Sequence, residues 1–235
     1  MAITTVLFDL DGTLLPMDQE VFVKTYLGLL AKKMAPCGYD PDALVKGVWV
    51  GTGAMIKNVS GRTNEDVFWD TFCALVNPDA RKDEPLFREF YENEFSQVRS
   101  VCGFAPRAAE TIALVRRKGL RVALATNPLF PAIATESRAR WAGLDPADFE
   151  LITTYENSTC CKPNPDYYRE VMSRLGVSAA ECLMVGNDVD EDMMTRDLGM
   201  QVFLLTDCMI NRRGADIEQY PHGGFEDLMA FIETL

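Results

Sequence analysis

Two aspartates separated by one residue, Asp9 and Asp11, close an apolar run over residues 3–8 and are followed at once by Gly12 and Thr13. Side chains two apart on an extended strand share a side and lie roughly 6.5–7 Å apart, so both carboxylates can converge on one group. A buried parallel strand delivers acids to its carboxyl end in this way, and a glycine then lets the backbone turn without a Cβ clash. Alone, such a pair supports no more than a strand ending in a polar turn. Three downstream stretches supply partners: Thr126-Asn127, Lys162-Pro163, and the acid run from Gly186-Asn187-Asp188 to Asp192. Clustered carboxylates repel unless a cation joins them, and hard oxygen donors favour Mg²⁺. Lys162 and the Thr126 hydroxyl suit the equatorial oxygens of a transferring phosphoryl group. A carboxylate can attack phosphorus directly, which makes Asp9 the candidate nucleophile. Asp11 is the candidate acid and base, its pKa raised by nearby negative charge.

These groups are useful only if one scaffold collects them. From residue 105 onward, helical and apolar strand-like segments alternate, with strands expected at 120–125, 151–153, 182–185 and 202–205 and helices at 106–118, 131–142, 165–175, 190–198 and 225–234. Near-continuous apolar strands alternating with helices predict an α/β fold, a Rossmann-like parallel sheet covered on both faces. Each chemical stretch falls just past a predicted strand, where open parallel sheets gather their functional groups. Between the first strand and this alternation, caps at Asp18, Asp40 and Thr63 open helices, the second broken at Gly51-Thr52-Gly53, and further helix follows Asp79. The pattern predicts a Rossmann-like core formed by residues 1–16 and 93–235, with an inserted helical cap domain at 17–92.

Asp9-Leu10-Asp11-Gly12-Thr13, Thr126-Asn127, Lys162-Pro163-Asn164-Pro165 and Gly186-Asn187-Asp188 to Asp192, in this order, resemble the four motifs of the haloacid dehalogenase-like (HAD) superfamily. The helical insert is similar to the C1-type cap of its phosphoglycolate phosphatase-like members. The resemblance implies Mg²⁺ dependence, Asp9 as nucleophile, Asp11 as acid/base, and a backbone carbonyl of Asp11 on the metal. One departure stands out: family members commonly carry the acidic metal ligand where this chain has Asn187. Either Asn187 ligates through its amide oxygen or Asp188 ligates, with Asp192 holding a water or Lys162. The activity implied is a phosphatase acting on a small phosphorylated metabolite through an aspartyl-phosphate. A phosphotransferase of the β-phosphoglucomutase type shares these motifs and is the alternative. Dehalogenase chemistry is disfavoured, since related dehalogenases lack an acid corresponding to Asp11. A receiver-like signalling module ranks last, because its phospho-accepting aspartate lies on a later strand than its metal ligands.

The rest of the chain sets bounds. With 48% hydrophobic and 25% charged residues over 235 positions, the composition is that of an ordinary globular protein. A net charge of -12 without clustered Lys and Arg argues against nucleic acid. No apolar run approaches the roughly 20 residues of a membrane helix. The first fifteen residues lack a basic leader and carry two acids, so the expectation is a cytoplasmic protein, monomer or homodimer. Seven scattered cysteines without a C-x-x-C pair disfavour a disulfide framework or a zinc site. His222 reads as a surface residue, and Trp49, Trp69 and the phenylalanines as cap core. Within 55–62, Lys57, Asn58 and Arg62 are the best anion-binding cluster of the insert, and Lys57 and Arg62 are candidates for the substrate's non-reacting end.

Overall fold

Every residue of β1 (Thr5–Phe8) is buried, and the strand sits in the middle of its sheet. The structure, a computed structural model, describes residues 2–235; Met1, the first position of the expected core, lies outside them. On one side β1 pairs with β2 (Arg121–Leu124), which pairs with β3 (Leu151–Ile152). On the other it pairs with β4 (Cys182–Gly186), followed by β5 (Gln201–Leu205) and β6 (His222–Gly223). All five pairings are parallel and the order is β3-β2-β1-β4-β5-β6. The strand order reverses at β1, and such a switch point opens a crevice beyond the carboxyl ends.

The pleat sends alternate side chains to opposite faces. Val6 and Phe8 join one apolar cluster, while Leu7 joins a second with Met184, Tyr167 and Tyr168. The expected parallel sheet, buried on both faces, is therefore present. Helices α1 (Gln19–Met34), α2 (Pro41–Ile56), α3 (Asn64–Leu75) and α4 (Glu84–Glu92) follow β1. Asp18, Asp40 and Thr63 cap the first three, each side chain accepting a bond from a first-turn N–H. A 3₁₀ segment, Glu94–Val101, leads to α5 (Pro106–Arg117). Then come α6 (Ala132–Trp141), α7 (Pro165–Leu175) and α8 (Phe225–Glu233). The first cluster runs unbroken from the sheet into α1–α4, with Tyr26 on Phe130 at 5.3 Å and Phe95 on Trp141 at 5.0 Å as aromatic ties.

Three expectations are corrected. Helix α2 continues through Gly51-Thr52-Gly53 to Ile56, because packing against α3 uses its glycines as space. A Cβ at Gly47 would lie 2.3 Å from Val76 Cγ2, and one at Gly51 2.7 Å from Phe68 Cδ2. The segment expected as a helix over 190–198 forms only a 3₁₀ stretch, Met193–Leu198. Asp188 there accepts bonds from the N–H groups of Asp190 and Glu191, a local turn that competes with helix. Trp49, expected in the cap core, is 54% exposed, whereas Trp69 is buried. His222 lies in the short edge strand β6, which sequence patterning does not reveal because two residues carry no period.

The α2–α3 contact yields a paired test. Overpacking costs about 1–3 kcal/mol, more than the roughly 1 kcal/mol gained by replacing a helical glycine. Gly47→Ala is expected to lower the thermal midpoint. Gly53→Ala, whose added Cβ meets nothing within 4 Å, is expected to raise it. Thermal circular dichroism of the two variants checks both signs.

Candidate active site

The Asp9 amide bonds the Val185 carbonyl at 2.9 Å, carrying the β1–β4 ladder one residue past β1 and fixing the carboxylate at the sheet's carboxyl edge. The chain then turns at Gly12, whose φ of +85° suits glycine. Its missing side chain also leaves room for Asn187, whose Nδ2 would lie 2.3 Å from a Cβ there. Thr13, the next residue, sits between Asp9 Oδ2 and Asn187 Oδ1, 3.0 Å from each. Its single hydroxyl proton serves one of them at a time.

Lys162 is fully buried and bonds Asp9 Oδ1 at 2.9 Å and Asp192 Oδ1 at 2.7 Å. Burial alone would depress its pKa, but the charges of Asp192 and Asp9 outweigh burial and hold the ammonium well above its ordinary value. The second Asp192 oxygen accepts the Asp188 N–H at 3.1 Å, so this acid orients both the lysine and the following turn. The Thr126 carbonyl is bonded by Thr153 and by Tyr167, at 2.7 and 2.9 Å, which fixes the end of β2.

Asp9, Asp11, Thr126, Asn127, Asn187, Asp188 and Asp192 all line one crevice of about 190 Å³. The structure thus brings together the acids, hydroxyl and lysine that the sequence places at separate strand ends. Lys57 and Arg62 are not brought there. Lys57 is exposed, Arg62 pairs with the exposed Asp70 at 2.6 Å, and neither lines the crevice. Asn58 is buried and ties its own loop, bonding the Arg62 carbonyl and Asn64.

For a divalent cation the available donors are hard oxygens. Two of them, Asp11 Oδ1 and Asn127 Oδ1, are buried without any hydrogen-bond partner. Among the described residues no three Asp, Glu, His or Cys side chains form a cage by themselves. That suits Mg²⁺, which takes one or two carboxylates and completes its shell with water and phosphate. Of the two alternatives at the fourth motif, Asn187 presents its oxygen to Thr13 and gives its N–H to the Cys208 carbonyl. Asp188 spends Oδ1 on the turn and Oδ2 on Arg212 at 2.6 Å.

Sequence reasoning missed Arg138. It projects from α6, is completely buried, stacks its guanidinium 4.2 Å from the Phe130 ring and pairs with Asp11 Oδ2. Burial raises the Asp11 carboxyl above its ordinary pKa, Arg138 opposes that, and Asp9 adds to it. The net upward direction is what an acid that donates a proton near neutrality requires.

Residues 3–195 match the hydrolase family described as haloacid dehalogenase-like hydrolase, and the chain belongs to that family. Among curated proteins it is similar to a phosphoglycolate phosphatase of Pectobacterium atrosepticum, 29% identical over 188 residues that span 79% of this chain and 73% of the relative. Among solved structures it is similar to a HAD phosphatase from Thermococcus onnurineus, with a TM-score of 0.60, 20% identity, and coverage of 99% of this chain and 98% of that one. A 2-haloacid dehalogenase from Pseudomonas syringae pv. Tomato gives a TM-score of 0.64 at 19% identity, with 99% and 98% covered. The two structural likenesses concern the fold.

The buried Arg138–Asp11 pair sets a stability test. Removing one partner of such a pair costs about 3–5 kcal/mol. Arg138→Met is expected to lower the urea midpoint accordingly at an unchanged m value. Arg138→Lys, which keeps a charge but loses the stacked plane, is expected to fall between Met and the parent.

Proposed function

We propose that the protein is a Mg²⁺-dependent phosphatase that hydrolyses a small-molecule phosphate monoester through an aspartyl-phosphate on Asp9. The observation that carries this reading is the Asp9 carboxylate itself. It is held by Lys162 and Thr13 at the end of the central strand, with Asp11 in the same crevice. Similarity to phosphoglycolate phosphatases supports the same reaction class. Helices within 17–92 act as the cap over the crevice, an assignment supported by α1 residues Gln19, Phe22 and Val23 in its wall.

Asp9 attacks phosphorus, and the ester P–O bond breaks with its electron pair on the leaving oxygen. Asp11 gives that oxygen its proton, so that the alcohol departs and Asp11 remains as a carboxylate paired with Arg138. Asp11 then takes a proton from water as the water attacks the aspartyl-phosphate, which returns Asp9 and releases inorganic phosphate. Lys162 neutralises negative charge beside Asp9 and, through Asp192, is kept from moving. Thr126 lines the crevice where the phosphoryl oxygens sit. Asp9 and Asp11, with Asn187 or Asp188, are the residues that would hold Mg²⁺, whose charge would screen phosphate from the carboxylates.

Asp9→Asn is expected to abolish Mg²⁺-dependent phosphate release from p-nitrophenyl phosphate while leaving the circular dichroism spectrum unchanged. Asp11→Asn should slow turnover by about 10²–10⁴-fold. Substantial turnover by Asp9→Asn would remove it as nucleophile. Following inorganic phosphate and isomerised ester together, on a panel of phosphorylated metabolites, separates hydrolysis from phosphoryl transfer.

A further inference from the structure

Next to the candidate crevice lies a much larger, half-open cavity of about 1270 Å³, lined by α1–α4 on one side and by the start of α6 on the other. The two spaces share Gln19, Val23, Ile56, Leu129 and Phe130 in their walls, so a molecule with phosphate at Asp9 extends directly into the larger one. Its volume exceeds the roughly 300–1,000 Å³ of ordinary ligand pockets. A two-carbon leaving group would leave nearly all of it unfilled. Its walls are aromatic: Trp49, Phe68, Trp69, Phe87, Tyr91 and Phe130 face it from several elements. The exposed Trp49 and Ile56, unexplained as surface residues at 54% and 44% exposure, fall on this lining.

The cavity wall carries five glutamates against four cations and so offers a second anion no net positive charge. Glu65, Glu84 and Glu156 all lie in its wall, and Glu156 is fixed there by accepting the Ala132 N–H that opens α6. Burial, then Glu156 and Glu84, push the Glu65 carboxyl above its ordinary pKa. Of the four cations in the lining, Arg140 is committed to Glu136 and Arg212 to Asp188, which leaves Lys24 and Arg88 against Glu20, Glu65, Glu84 and Glu156. The basic residues of the 55–62 loop lie outside.

We infer that the substrate is the phosphate monoester of a bulky, apolar or aromatic alcohol with no second phosphate or carboxylate, whose alcohol portion occupies the cavity between α1–α4 and α6. This inference rests on the phosphatase reading of the crevice. It sets this chain apart from the phosphoglycolate phosphatases it resembles, since a glycolate leaving group fills little of the cavity and the walls shared with the crevice, Gln19, Val23, Ile56, Leu129 and Phe130, offer its carboxylate no cation.

Three primary-alkyl esters test it with Mg²⁺ present: 3-phenylpropyl phosphate, ethyl phosphate and 2-phosphoglycolate. Acetyl phosphate, whose leaving group is too short to fill the cavity, reports the crevice chemistry separately. The expected kcat/KM for the phenylpropyl ester exceeds that for each small ester by at least about tenfold, through KM, as burial of several methylene equivalents demands. Thr52→Trp, which fills the half-buried wall of α2, and Trp49→Ala, which removes an exposed wall residue, should each reduce that ratio several-fold. Equal kcat/KM for all three esters, or a preference for 2-phosphoglycolate, with acetyl phosphate turned over, would overturn the inference and leave the phosphatase reading standing. No turnover of any of the four, or equal turnover by Asp9→Asn, would sink both.

Discussion

A fully buried ammonium, Lys162, lies between two carboxylates, Asp9 and Asp192, and the arrangement of the site follows from that constraint. Burying an unpaired charge costs several kcal/mol, so neither the lysine nor its partners could occupy this place alone. Asp9 comes from the end of β1, Lys162 from the segment before α7, and Asp192 from the turn after β4. The parallel pairing of β1 with β4 brings these ends together. The charge requirement and the strand order therefore enforce each other. Both Asp9 oxygens are held, Oδ1 by Lys162 and Oδ2 by Thr13, the alignment that the proposed nucleophile requires.

The second buried pair, Arg138 with Asp11, plays the complementary part. Lys162 holds the Asp9 carboxylate by a 2.9 Å bond, whereas burial raises the Asp11 carboxyl above its ordinary pKa against the pull of Arg138. Two carboxylates two residues apart thus acquire different environments, the condition under which one attacks and the other moves protons.

Much of this was legible in the sequence because each motif is contiguous and sits where an apolar run stops. The strand positions, the caps at Asp18, Asp40 and Thr63, and the convergence of the strand-end residues needed only periodicity and the geometry of parallel sheets. Arg138 was not legible. In the stretch Ala132–Trp141 it reads as one of several charges on a polar helix, and its burial depends on Asp11, distant in the chain, and on the Phe130 ring. Lys57 and Arg62 show the opposite: their charges suit an anion, but here Lys57 is exposed and Arg62 turns outward to Asp70. Asp188 reads as a metal ligand, yet its oxygens also hold the turn and Arg212, a double use that sequence spacing does not reveal. Glycine read as a helix breaker in α2 marks close approach instead, because what decides is the neighbour, Val76 or Phe68, and not the residue's own propensity.

The aromatic cavity shows the same limit. Helical spacing correctly places Trp69 and Phe87 inward but does not distinguish a filled core from the wall of a space. The central chemical claim, covalent phosphorylation of Asp9, is tested most directly by trapping. Enzyme quenched during turnover and reduced with borohydride should contain homoserine in place of Asp9 in the tryptic peptide, only when phosphate ester and Mg²⁺ were present. An unmodified Asp9 under conditions of continuing turnover, or reduction at another acid of the crevice, would contradict the account.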